Sequence, residues 1–274
     1  MKEFLTRSLA GLIFVALLIS SVFLSQTAIF AVFTIFGLLC MFEFSKLIEL
    51  KGFIQYIVFL AFLSVFVFWK HLQPELKIEE ATMILLVFSI FVSLFLIRDL
   101  FSKKIIPEFK FKKYLLVSFY MSSSFAFLLL IPNATETYEP YIILGSFLLV
   151  WVNDSFAYLI GKKFGRQKLF ERISPKKTVE GFLGGLLFSC IASYFIYKFT
   201  DTPLSFSSWL ILAIIISSIG TIGDLIQSKF KRQANVKDSG SIMPGHGGIF
   251  DRLDSMIFSA PFIYLFLKIL HYVS

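Results

Sequence analysis

Runs of apolar residues long enough to cross hydrocarbon recur along the whole chain, separated by short clusters of charge, proline and glycine. Within each run the apolar positions cover every face of a helix rather than one stripe. That is the pattern of helices whose solvent is lipid, because about 20 helical residues span a bilayer core. It predicts an all-α, polytopic integral membrane protein with nine transmembrane helices, at residues 8–25, 27–43, 53–70, 82–97, 113–131, 141–161, 179–198, 207–226 and 254–272. The first run has the basic start and apolar body of a signal peptide. No small-residue cleavage site follows it and another span begins almost at once, so it is read as a retained helix.

Basic residues orient these spans, since Lys and Arg concentrate on cytoplasmic loops. With the N-terminus cytoplasmic and the C-terminus outside, twenty-two of the 26 basic residues fall on cytoplasmic segments; only Lys70, Lys77, Lys198 and Lys268 fall outside. A missed or extra helix would invert the later loops and erase the asymmetry, so count and orientation support each other.

Composition agrees: 57% of residues are hydrophobic, 36 are Phe and 16% are charged, which excludes an ordinary soluble domain. The net charge of +8 is carried by clusters between apolar spans and not by one continuous basic face. This points away from nucleic acid and toward anionic lipid headgroups and nucleotide phosphates. Cys40 and Cys190 lie inside apolar runs with no metal-ligand spacing nearby, so neither a disulfide nor a zinc site is expected.

The two halves differ. Residues 1–140 form an N-terminal region of about five spans with generic loops, whereas residues 141–274 form a region of about four spans with polar residues embedded at helix ends and glycine-containing loops. Chemistry is expected in the second half, in four elements facing one compartment. Asn153 and Asp154 sit in the last two turns of the sixth span, where a carboxylate costs a few kcal/mol unless it faces a cavity or a partner such as a loop lysine. Lys176 and Lys177 precede the seventh span, capped by Ser174 or Thr178; basic side chains beside a helix N-terminus suit a phosphate or lipid headgroups. Glu180, one residue inside that run, needs a cation or a hydrogen-bond partner.

Asp224 and Ser228 lie four residues apart at the cytoplasmic end of the eighth span and share a face, with Lys231 and Arg232 just beyond. Last come Lys237 and Asp238, the Gly245-His246-Gly247-Gly248 stretch, and Asp251, Arg252 and Asp254 opening the ninth span. Glycines around a histidine let backbone N–H groups approach a polyphosphate. Asp251 or Asp254 could be only the helix cap, but a cap does not account for two aspartates, an arginine and a Gly-rich loop together. Carboxylates mixed with Lys and Arg at one membrane edge suit metal-assisted phosphoryl or nucleotidyl transfer. No GxSxG, reactive-cysteine or Walker-type pattern points to another chemistry.

The stretch from Ser228 to Asp254 resembles the signature of the phosphatidate cytidylyltransferase (CDP-diacylglycerol synthase) family: a Ser-x-apolar-Lys-Arg segment, Lys-Asp, His-Gly-Gly and Asp-Arg-x-Asp. Met243 departs from it by a volume-conserving apolar change. Asp154 to Tyr158 and Ser174 to Thr178 are similar to further family segments, while residues 1–140 are similar only in being hydrophobic spans.

The resemblance implies transfer of CMP from CTP to phosphatidic acid in the bilayer, with Mg²⁺ required and room for a second cation such as K⁺. It implies Asp224, Asp251 and Asp254 as metal ligands, with Asp154 as a further ligand or behind them. Lys231, Arg232, Lys237 and Arg252 would neutralise phosphates, Lys176 and Lys177 would hold lipid phosphate or pyrophosphate, and His246 would donate to a phosphate oxygen. The Phe-, Ile- and Lys-rich composition without an organelle-targeting segment points to a bacterial cytoplasmic membrane as the location, and the resemblance is compatible with a homodimer, although no stripe of small residues marks an interface. Rival readings are an enzyme acting on another lipid phosphate, a CTP-dependent lipid kinase, and an ion-coupled transporter. The transporter is disfavoured because no internal repeat is visible and the polar residues cluster at one edge.

Overall fold

The computed structural model describes residues 2–68, 78–103, 105–106, 110–135, 137–245 and 247–273. The first half forms helices α1 (Lys2–Leu24), α2 (Gln26–Leu47), α3 (Ile54–Leu63, extended by a π-helical turn Ser64–Phe68) and α4 (Ile78–Phe101). It ends in α5, which runs through Lys110–Leu116, a π-helical segment Val117–Ser122, and Ser123–Leu130. The second half forms α6 (Pro140–Phe164), α7 (Val179–Phe199), α8 (Phe206–Gln233) and α9 (Phe250–Val273). Seven helices among the described residues are long and apolar enough to cross a membrane, and Leu9–Leu24 and Ile54–Phe68 are shorter apolar helices. The chain is a polytopic helical membrane protein.

The expected all-α architecture has one exception. Between α6 and α7, where the sequence suggested only a loop, β1 (Lys168–Phe170) pairs antiparallel with β2 (Ser174–Thr178). The hairpin is short and dense in charge, so apolar periodicity carries no trace of it. Its far end is docked: Arg172 donates to the carbonyls of Leu100 (3.2 Å) and Ser102 (3.0 Å) at the C-terminus of α4, which also receives Lys229 from α8 on the carbonyls of Asp99 (2.5 Å) and Ser102 (2.9 Å). Two cations thereby satisfy carbonyls that the end of a helix leaves open.

Aromatic rings knit the halves into one core. Phe33 of α2 meets Phe147 of α6 (6.0 Å between centroids), Phe44 packs edge-on against Phe230 of α8 (5.4 Å) and Phe250 of α9 (5.8 Å), and Phe127 of α5 meets Tyr264 of α9 (5.1 Å). Such offset and edge-to-face pairs add specific geometry to nonspecific apolar burial. The α6–α7 contact is made differently. A Cβ on Gly185 would lie 2.7 Å from the Asn153 carbonyl oxygen, and one on Gly181 would lie 2.7 Å from that of Ala157, so the two backbones approach more closely than any side chain permits.

Several helices run past the ends that hydropathy assigns them. The eighth span was expected to stop near residue 226, yet α8 continues to Gln233. At about 1.5 Å per residue its 28 residues reach well beyond a hydrocarbon core. Hydropathy ends where side chains become polar, but backbone hydrogen bonding continues until something caps it. Here the stop is Asn235 at φ 56, with its N–H donating to the Arg232 carbonyl and that of Val236 to the Lys231 carbonyl. The overhang places Ser228, Lys231 and Arg232 on rigid helix. Likewise α9 starts at Phe250, which brings Asp251 into its first turn.

Candidate active site

A cleft of about 710 Å³ is walled by the last turns of α6, the hairpin, the start of α7, the end of α8 and the start of α9. Of the residues singled out from sequence, Asn153, Asp154, Lys176, Lys177, Asp224, Lys231, Asp238, Asp251, Arg252 and Asp254 line it. Thr178, anticipated as a cap, lines it as well, and so do Lys162, Lys168 and Thr221, which were not anticipated. A smaller cavity of about 370 Å³ near Phe95, Ile106 and Leu116 gathers none of the predicted residues.

Local structure explains how each wall is held. Thr178 caps α7 by accepting from the Gly181 N–H (3.1 Å), one of the two capping residues the sequence offered. The cap fixes β2 just before it, so Lys177 pairs with Asp224 of α8. Asp224 also accepts from Ser228 one turn along (3.3 Å). Lys177 lies on the hairpin, outside the spans. Burial acts to lower its pKa, but Asp224, Asp154 and Asp254 outweigh burial and hold the ammonium above the usual lysine value.

Lys231 donates to Asp251 (2.8 Å), with both side chains nearly buried. The remaining capacity of Asp251 is filled by protein donors: Gln227 Nε2 on Oδ1 (3.2 Å), and the N–H groups of Ser239 (2.8 Å) and Gly248 (2.9 Å) with the Ser239 hydroxyl (3.0 Å) on Oδ2. A carboxylate that accepts this many bonds organises the loop before α9. Asp154, Asp224 and Asp254 carry fewer. Asp154 is open to the cleft and accepts a long bond from Asn153 (3.3 Å); Asp254 is buried and accepts from the Ser255 N–H (2.7 Å).

Other predicted residues are used differently from the expectation. Glu180 turns to the connection between α6 and the hairpin, accepting from the N–H groups of Arg166 (3.0 Å) and Gln167 (3.1 Å), and does not line the cleft. Arg232 is tied to the carbonyls of Ile173 (3.4 Å) and Val236 (3.1 Å), which directs it to the hairpin and the loop. Lys237 is exposed and Ser228 is buried beside Asp224; neither lines the cleft. Gly247 has φ +85, a conformation that favours glycine, and its carbonyl accepts from the Met243 N–H (3.0 Å). Gly248 packs on the side chains of Glu43 and Ser239. His246 lies outside the described residues.

Among the described residues no three His, Cys, Asp or Glu side chains converge as a ready-made metal cage. Of the anticipated set of Asp224, Asp251 and Asp254, Asp251 accepts the most protein donors, from Lys231, Gln227, Ser239 and Gly248. Mg²⁺ does not require such a cage, because it takes one or two carboxylates together with substrate phosphates and water. Asp154, Asp224 and Asp254 are the hard oxygen donors that fit it here.

Sequence reasoning also missed Glu43, a buried carboxylate on α2 whose oxygens lie against the start of α9. The available signal was a carboxylate at the end of an otherwise apolar span, which marks a functional or partnered position by its cost alone.

Residues 5–270 match the sequence profile of the cytidylyltransferase family. The chain is 46% identical over 134 residues to a phosphatidate cytidylyltransferase of Staphylococcus haemolyticus, covering 49% of this chain and 52% of that protein. A phosphatidate cytidylyltransferase of Staphylococcus saprophyticus is 48% identical over 127 residues (46% and 49% of the two chains), and one of Bacillus subtilis is 38% identical over 154 residues (56% and 57%). The chain thus spans about half the length of the curated relatives it matches. With a match over nearly its whole length, the chain belongs to the cytidylyltransferase family.

Proposed function

We propose that this protein is a phosphatidate cytidylyltransferase, which joins CMP from CTP to the phosphate of phosphatidic acid and releases pyrophosphate. One observation carries the reading: Asp154, Asp224 and Asp254 share a single cleft with Lys176, Lys177, Lys231 and Arg252 at one end of the helices, built from the segments that resemble the family signature. The bacterial relatives named for this activity support it.

In the reaction, a phosphate oxygen of the lipid attacks the α-phosphorus of CTP. A P–O bond forms there while the bond from the α-phosphorus to the bridging oxygen of pyrophosphate breaks. The lipid phosphate is the nucleophile, so no covalent enzyme intermediate is needed and positioning with charge stabilisation supplies the rate. Lys177, fixed by Asp224 and charged at neutral pH, faces the anions from the hairpin side. Lys231 and Arg252 face them from α8 and α9. Lys162, Lys168 and Lys176 form a basic rim that draws an anionic headgroup to the cleft. Asp224 and Asp254, with Asp154 beside them, would hold Mg²⁺, which supplies charge neutralisation of the polyphosphate when bound.

Nine spans, with the N-terminus cytoplasmic and the C-terminus outside, fit the basic-residue asymmetry and put the cleft on the cytoplasmic side of a bacterial cell membrane. Soluble nucleotide and laterally diffusing lipid then meet at the bilayer boundary, at helices that follow residue 140.

The test uses purified protein in liposomes with labelled CTP, phosphatidic acid and Mg²⁺. Labelled CDP-diacylglycerol that requires both lipid and metal is the expected outcome. Absence of product from folded protein across several phosphatidic acids would refute the assignment and direct attention to other lipid phosphates.

A further inference from the structure

Glu43 belongs to α2, in the half of the chain whose described residues contribute no side chain to the cleft wall. It is 1% exposed. A carboxylate in such surroundings is costly unless hydrogen-bonded throughout, and this one is. Oε1 accepts from the Ile249 N–H (3.1 Å), and Oε2 accepts from the Phe250 N–H (2.9 Å) and shares the one proton of the Ser239 hydroxyl (2.8 Å) with Asp251.

Two features make this more than a satisfied buried group. The Ile249 and Phe250 amides open α9, and first-turn amides have no partner within their own helix. Glu43 therefore caps α9 from a different helix, with the sign of charge that the helix N-terminus favours. Asp251 and Arg252, on the cleft wall, lie in the turn that it caps.

Ser239, in turn, stands between two carboxylates, its hydroxyl 2.8 Å from Glu43 Oε2 and 3.0 Å from Asp251 Oδ2. Glu43 and Asp251 thus grip the loop between α8 and α9 from opposite sides. The loop is shaped for this grip: a Cβ on either Gly240 or Gly248 would run into the Glu43 carboxylate. Both glycines are explained by a protein side chain, without any ligand.

We infer that Glu43 is a positioning residue that clamps the loop before α9, so that Asp238, Arg252 and Asp254 present a preformed surface to the nucleotide. The inference rests on the cytidylyltransferase reading for its kinetic consequence and not for its structural one. Substitution by Gln keeps one acceptor oxygen but turns an NH₂ group toward donors, which breaks the clamp with minimal change in volume.

The experiment combines hydrogen exchange across residues 239–252 with steady-state kinetics of Glu43→Gln and Ser239→Ala, and uses Glu49→Gln, exposed just beyond the end of α2, as the control. For Glu43→Gln, exchange in that segment should accelerate about tenfold while distant helices keep their rates. KM for CTP should rise about tenfold, with KM for the lipid within about twofold. An unfolded fraction lowers apparent kcat but leaves KM in place, so the KM shift separates positioning from plain destabilisation. Ser239→Ala should move both readouts in the same direction by less, and it carries the test if Glu43→Gln does not insert. Unchanged exchange in the segment, or an unchanged KM for CTP beside normal product formation, overturns the inference. A wild-type protein that makes no CDP-lipid would sink the cytidylyltransferase reading, while the exchange data would still decide whether Glu43 holds the loop.

Discussion

The two halves of this protein differ in how they place their charged groups. In the first half, hydroxyls inside the spans bond back to their own helix: Thr34 to the Phe30 carbonyl (2.6 Å), Ser89 to Leu85 (2.7 Å), Ser93 to Ser89 (2.9 Å) and Ser123 to Phe119 (2.9 Å). In the second half some hydroxyls also bond back, as Ser146 does to the Ile142 carbonyl (2.8 Å), but charged groups reach across elements, as Lys177 does to Asp224 and Lys231 to Asp251, and Ser189 of α7 reaches the Leu149 carbonyl of α6 (2.9 Å). A back-bonded hydroxyl is neutralised locally and lets its helix behave as an apolar rod. A cross-element charge pair is retained despite its desolvation cost, which makes it the better marker of function. Glu43 is a buried first-half residue that follows the second-half rule, and it reaches the loop that carries the cleft wall.

The strongest way to break the contrast is Asp224→Asn. It removes the partner of Lys177 and a proposed Mg²⁺ ligand, so turnover should fall by at least about 10³-fold with membrane insertion intact. Full activity would show that the cross-element pair is only structural.

Lys177→Met comes next, with an expected loss of about 10²-fold in kcat/KM. Its pH dependence is specific in sign. The folded-state pKa is raised, so the stabilisation from the Lys177 ion pair is fully present below the unfolded-state value. It is lost only as pH rises through the higher folded-state value. No alkaline limb below about pH 10 should therefore belong to Lys177. A limb near neutral pH that disappears in Lys177→Met would contradict this.

Gly185→Ala sharpens the comparison from the packing side. The new methyl would meet Asn153 oxygens at 2.7 Å, so the α6–α7 contact should loosen by about 1–3 kcal/mol, read as a lower unfolding temperature in detergent. Ser89→Ala should do least: stability within about 0.5 kcal/mol and activity within about twofold, because its hydroxyl serves only its own helix.

Much of this organisation is legible in the amino-acid order. Apolar runs place the seven helices that are long and apolar enough to cross a membrane among the described residues, and embedded charges such as Asp154, Asp224 and Lys231 identify the cleft. Three things were not legible. The overhang of α8 to Gln233 depends on a cap at Asn235 and leaves no trace in hydropathy. The hairpin is defined by pairing between Lys168 and Thr178, a contact that apolar periodicity cannot register. The division of labour among carboxylates depends on how the loops fold around them: Asp251 is filled by Ser239 and Gly248, Glu180 serves the backbone at Arg166, and Glu43 meets residues about two hundred positions away.

The most direct test of the central claim compares CTP labelled at its α-phosphate with CTP labelled at its γ-phosphate, each incubated with phosphatidic acid vesicles, Mg²⁺ and the purified protein. Cytidylyl transfer puts the α-label into lipid and the γ-label into pyrophosphate, and the Asp224→Asn protein should do neither. Appearance of the γ-label in lipid would mean that the same cleft transfers a phosphoryl group, and the assignment to cytidylyl transfer would be wrong.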